Sequence, residues 1–181
     1  MNDQDRSQSQ GRAFWPAVLA AWLAYLVLDF LMHAVFLAPW WRATEQYWLP
    51  PRELLRLIPL SYVSFAIYCA ALTWLLKKLY GGRLTLAAGL RFGAAAGLVS
   101  GVGTALGTYC VFRMPALALL VWPASMTVLS TAAGAVAAWV LISERPWRRA
   151  GLVFAVALVL FILGVVIQNL FFPTPVDRRI Q

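Results

Sequence analysis

Long apolar runs, parted by short polar stretches, make up almost the whole chain. The first extends over residues 14–37 and is interrupted only by Asp29 and His33; others cover 57–76, 86–111, 117–141 and 152–172. At 1.5 Å per residue, roughly 20 residues suffice to cross a hydrocarbon layer of about 30 Å. The pattern predicts an all-α integral membrane protein, a bundle of five transmembrane helices. Residues 14–142 then form a four-span membrane core, and the fifth span is set apart by a basic linker at 143–151.

The polar stretches predict the rest of the organisation. Residues 1–13, rich in Ser, Gln and Asp, have nothing to bury and read as a disordered cytoplasmic tail; 173–181 reads as a second tail. Between spans one and two, residues 38–56 mix Trp40, Trp41, Tyr47 and Trp48 with Arg42, Glu45, Arg52 and Glu53, the composition of an interfacial segment lying at headgroup level. Pro51 suits the first turn of the next helix, and the Gly81-Gly82 pair ends it. The short turn at 112–115 forces spans three and four to be antiparallel neighbours.

Span three carries the sharpest internal pattern. Gly89, Gly93, Gly97 and Gly101 recur at every fourth residue and share one side of a helix with Ser100, Thr104 and Thr108. Phe92, Leu98, Val99, Val102, Leu106 and Tyr109 take the opposite arc. Glycine inside a helix costs about 1 kcal/mol relative to alanine, which is repaid where another backbone approaches closely in lipid. Span four repeats the small-residue theme at Ser130, Gly134 and Ala138, so GxxxG packing of the two spans face to face is expected.

Composition agrees with one membrane-embedded unit: 62% of the 181 residues are hydrophobic and 12% charged. The net charge of +8 sits beside the apolar runs, where it orients spans; no basic cluster interleaved with aromatics supports nucleic-acid binding. Counting Lys and Arg on the two sides favours a cytoplasmic amino terminus, with the carboxyl terminus outside. The first run is too long for a signal core and lacks an A-x-A-like exit, so it reads as a retained helix. Cys69 and Cys110 lie inside apolar runs without metal spacing and read as small buried hydrophobes.

Candidate chemistry centres on Asp29 and His33, which stand four apart and share a helix face with Tyr25 one turn earlier, flanked by Trp22 and Phe36. An ionised carboxylate near a span's centre costs about 2.5–3.5 kcal/mol, and an imidazole one turn away lightens that cost. The pair has two readings. It relays a proton or binds a small cation, or it serves structure by hydrogen-bonding to Ser100, Thr104 and Thr108 or to Ser61, Ser64 and Tyr68. His33 is the only histidine, so no metal set and no bis-histidine haem assemble from side chains; nor is there a Ser-His-Asp set, a phosphate loop or a buried carboxylate pair. No catalytic residue and no cofactor are expected.

The run YLVLDFLMHAVFLAPWWRATEQYW, then RLIPLSYVSFAIYCAALTWL, then GLRFGAAAGLVSGVGTALGTYCVFRMPALAL, resembles small bacterial multi-span inner-membrane proteins that carry a domain of unknown function. The likeness covers about Ala24 to Val140. It rests on an Asp with a His one turn on, an early Pro in the second span, and the G-L-R-F-G entry and G-T-Y exit of the third; Asp29, His33, Gly89, Arg91, Gly93, Gly107 and Tyr109 match these motifs. The resemblance implies a bacterial inner-membrane helix bundle and lends no activity; the fifth span and its linker depart from the group. The likeness of WWRATEQYW followed by LPP to tryptophan-rich sensory proteins is shallow, because that family's later signature is missing, and belt anchoring accounts for most of the nine tryptophans. The expected role is a non-enzymatic accessory, structural or assembly component, whose partners are the lipid bilayer and either its own copy or other integral membrane subunits. The alternatives are a proton-coupled carrier of a small solute or ion using Asp29 and His33, and a membrane sensor of a small ligand.

Overall fold

The computed structural model describes residues 3–112 and 114–171, all in helices and short connections, with no strand among them. Helix α1 spans Asp3–Leu31 and continues into a π-helical turn at Met32–Phe36. Then come a short helix α2 (Ala38–Ala43), a 3-10 turn (Glu45–Tyr47), α3 (Pro51–Tyr80), a second 3-10 turn (Gly81–Arg83), α4 (Leu86–Val111), α5 (Ala118–Leu141) and α6 (Pro146–Phe171). Five segments are long and apolar enough to cross a membrane: residues 12–36, 52–83, 86–111, 118–141 and 146–171.

Three boundaries differ from the sequence-based expectation. The first helix starts at Asp3, inside the stretch read as a disordered tail, and Ala13 is already fully buried. Helix α3 begins at Pro51, six residues before the expected span, because Pro51 fills the first helical position after the extended Pro50. Helix α6 begins at Pro146, so the basic linker contracts to residues 142–145 and Arg148 and Arg149 stand in its first turn. The carboxy-terminal tail lies outside the described residues.

Local signals account for the other helix ends. Helix α3 stops at Gly81, whose φ of +46° a side chain would disfavour, and its cap N–H donates to the Lys77 carbonyl. The Thr85 hydroxyl accepts from the Ala88 N–H at 3.1 Å and so caps α4.

Helix α1 is the hub of the bundle, touching α3, α5 and α6, while α5 lies between α1 and α4. The core is made of small residues: Ala13, Ala17, Ala20 and Ala21 of α1 join Ala133, Ala137 and Ala138 of α5 in one buried cluster. Tyr25, Leu76, Leu129 and Leu141 are buried with them, but many large apolar side chains point the other way. Val99, Leu120, Leu60 and Ile67 are 66–74% exposed, and such residues cover every long helix. A soluble protein does not expose apolar surface on this scale, whereas in lipid the outside is as apolar as the inside and close packing is what holds helices together.

The tightest contact is between α4 and α5. Gly89, Gly93, Gly97 and Gly101 are all buried. A Cβ added at Gly89 would lie 2.5 Å from both the Ala138 Cβ and the Gly134 carbonyl oxygen, and one at Gly101 would lie 2.7 Å from the Pro123 Cα. At Gly93 and Gly97 it would strike the carbonyl oxygens of Ser130 and Met126. Leu98, Val99, Val102, Leu106 and Tyr109 face outward, and Phe92 is half-buried against Tyr80. Thr104, expected on the glycine face, is exposed: a row at every fourth residue drifts round a helix of 3.6 residues per turn, and past Gly101 the buried position is Ala105. Replacing Gly97 by Leu is therefore expected to destabilise the bundle by about 3 kcal/mol or more, while Val102→Leu stays within about 0.5 kcal/mol. Thermal loss of helical circular dichroism in detergent measures both.

Candidate functional site

The Asp29–His33 pair lies where α1 gives way to the π-helical turn. That turn is closed by the Leu37 N–H donating to the Met32 carbonyl at 2.8 Å, and extra residues of this kind recur at functional sites. His33 Nε2 stands 3.3 Å from Asp29 Oδ1, with the two side chains 35% and 23% exposed. On the other ring nitrogen, Trp41 Nε1–H donates to His33 Nδ1 at 3.0 Å. An indole N–H can only donate, so Nδ1 accepts and the imidazole proton sits on Nε2, facing the carboxylate. The result is a directed chain, Trp41 to His33 to Asp29.

Trp41 reaches this position because Pro39 opens α2 and turns the chain back over the end of α1. Behind it the tryptophans interlock. The Trp41 and Trp48 ring centroids are 4.5 Å apart, Trp40 and Trp41 4.8 Å, and Trp48 and Trp122 of α5 6.2 Å. Buried Thr44 holds the group together: its hydroxyl donates to the Trp40 carbonyl and accepts from Trp48 Nε1–H, both at 2.9 Å. Four of the tryptophans thus form one collar that ties the connection between α1 and α3 to α5.

The structure separates residues that sequence spacing grouped. Tyr25 is buried and donates to Met126 Sδ at 3.0 Å, packing against Phe65 and Tyr68 rather than joining the pair. Trp22 donates to the Tyr62 carbonyl of α3 at 3.0 Å. Two of the hydroxyls expected to receive Asp29 and His33 do other work: the Tyr68 hydroxyl lies 2.8 Å from Ser130 Oγ and 3.5 Å from Ser100 Oγ, a polar junction of α3, α4 and α5. Of the two cysteines, Cys69 is buried and Cys110 exposed, so only the first fits the reading made of both.

Sequence reasoning missed Trp41 as the partner of His33. A spacing of eight would leave the two about 12 Å apart along a continuous helix, and only the break in the helix before α2 brings them together. It also missed the alanine seam of α1, although Ala13, Ala17, Ala20, Ala21 and Ala24 carry the helical period that would reveal it. Among the described residues no group of three or more His, Cys, Asp or Glu side chains is placed to hold a metal ion.

Fold and site together define a helical bundle with five helices long and apolar enough to span a bilayer and an aromatic collar at one end. The chain matches no family model, no curated protein and no solved structure. The directed hydrogen-bond chain makes its own prediction. Nitrogen-15 NMR of His33 should show the single Nε2–H tautomer, and Trp41→Phe should mix the two tautomers and cost about 0.5–1.5 kcal/mol of stability.

Proposed function

We propose that this is a non-enzymatic multi-pass protein of the bacterial inner membrane, amino terminus in the cytoplasm, acting as an accessory or assembly component beside other membrane proteins. The observation that carries the reading is α3. Every residue from Arg52 to Ser64 is exposed, a stretch of about 20 Å that leans on the bundle only through contacts such as the bond from Trp22. The exposed face is mixed, with Leu55 and Leu60 beside Arg52, Glu53, Arg56, Ser61, Tyr62 and Ser64. Hydroxyls facing acyl chains are unfavourable, and small hydroxylated residues are what helices use to meet one another in lipid. A partner helix laid along this half of α3 satisfies both.

Gentle detergent extraction tests the proposal. The chain should co-purify with a larger membrane protein in fixed ratio, and the double variant Ser61→Leu, Ser64→Leu should lose the partner while keeping its helical content. Recovery of the wild-type chain alone from every mild detergent would refute it.

A second reading, proton-coupled carriage, is favoured by one observation: the Asp29–His33 pair is only partly buried and so can be reached from outside. Against it stands Trp41, since an indole N–H that donates to Nδ1 offers a proton no onward path. Proteoliposomes holding the chain should keep an imposed pH gradient as long as empty vesicles do. Dissipation that disappears in a folded Asp29→Asn variant would favour the carrier instead.

A further inference from the structure

Helices α5 and α6 are joined by a short turn yet scarcely touch, because α1 lies beneath both and holds them apart. The space between is a cleft of about 250 Å³. Its walls are apolar: Ala24 and Leu28 from α1, Val136 and Trp139 from α5, and Val153 and Leu160 from α6. Its volume would hold about eight waters, but nothing inside offers them hydrogen bonds, and apolar cavities of this kind stay dry or take an apolar guest. From Val153 to Leu160, α6 rises about 11 Å. A helix of that length, ~10 Å across, occupies roughly 800 Å³, more than the cleft can hold. The shape suits a single hydrocarbon chain.

One end of the cleft is marked by charge. Trp139 closes it at the α5–α6 turn, and the Arg149 guanidinium lies over that ring, 4.8 Å from its centroid, while donating to the Trp139 carbonyl oxygen. A guanidinium has five N–H donors in a rigid fork, so one such bond leaves the geometry for a phosphate free. Arg148 and Arg145 are exposed beside it. Among the described residues no carboxylate pairs with any of the three, the exposed Glu144 included. Leu84 after α3, Ala13, Ala150 and Leu141 belong to one buried cluster, and in sequence Arg12 and Arg83 directly precede two of its members.

From this juxtaposition we infer that the cleft is a phospholipid site: it takes one acyl chain of an anionic phospholipid, whose phosphate is held at the turn by Arg149 and Arg148. The inference rests on the reading of the chain as a membrane protein and assigns that reading a specific lipid class. Basic side chains at a headgroup surface select anionic over zwitterionic lipid.

Native mass spectrometry of the full chain, released from nanodiscs of equal phosphatidylglycerol and phosphatidylcholine, tests it. One retained phosphatidylglycerol is expected at about 25-fold over phosphatidylcholine, about fivefold for each of the two arginines. Arg149→Gln and Arg148→Gln should each lower that preference about fivefold; Arg148 makes no contact inside the bundle that its loss could disturb. Ala157→Leu, which fills the cleft from its α6 wall, should lower retention of both lipids alike. Equal retention of the two lipids by the wild-type chain, or a preference unchanged in both arginine variants, would overturn the lipid site while leaving the membrane reading in place. A chain that partitions into the soluble fraction would overturn both.

Discussion

The contact of α4 with α5 is the constraint on which the bundle depends. In water, two apolar helices are driven together by the surface they remove from solvent; in lipid that drive vanishes, and what is left is dispersion at close range with hydrogen bonds where polar groups meet. Four glycines in a row let the backbone of α4 lie against Pro123, Met126, Ser130 and Gly134 with no side chain between. The other packing follows the same economy of volume. Alanines line α1 where it meets the core, and Gly164 lets α6 settle on Phe30 and Leu31.

Hydrogen bonds are placed where this close packing leaves polar groups inside. Tyr68, Ser100 and Ser130 satisfy one another at the three-helix junction beside the glycine row. Along α5, Thr127 and Thr131 each turn a hydroxyl back onto a carbonyl four residues earlier, at 2.7 Å and 2.6 Å, which keeps them compatible with an apolar setting. Asp29 and His33 follow the same logic at the bundle's end, where Trp41 completes the set. The site is thus continuous with the packing problem: Trp41, His33 and Asp29, like Tyr68, Ser100 and Ser130, are polar groups that meet across elements, whereas the buried Thr73 hydroxyl of α3 has no partner among the described residues.

Much of this was legible in the sequence, and the parts that were not share a cause. Helix α4 occupies residues 86–111 as its apolar run indicated, because the cap at Thr85 and the change of composition after Val111 are both local signals. The starts of α1 and α6 were misread because polar residues were taken to end helices, whereas a helix persists through its first polar turn when nothing in the backbone opposes it. The tryptophans could be assigned to an interface from composition, yet which of them meet depends on the break in the helix before α2. The cleft left no trace at all. Helix α6 is apolar on every side, so its outward face and the face that lines the cleft are written in the same kinds of residue.

The π-helical turn at Met32–Phe36 has one residue more per turn than the helix leading into it. An added residue advances the angular phase of everything that follows by about 100°. Side chains before the turn are therefore aimed by the neighbours of α1, and those after it are aimed by the collar, with neither half obliged to compromise for the other. The irregularity acts as a universal joint between two sets of neighbours, the packed helices and the tryptophan collar, and it is there that the chain keeps the one imidazole it possesses.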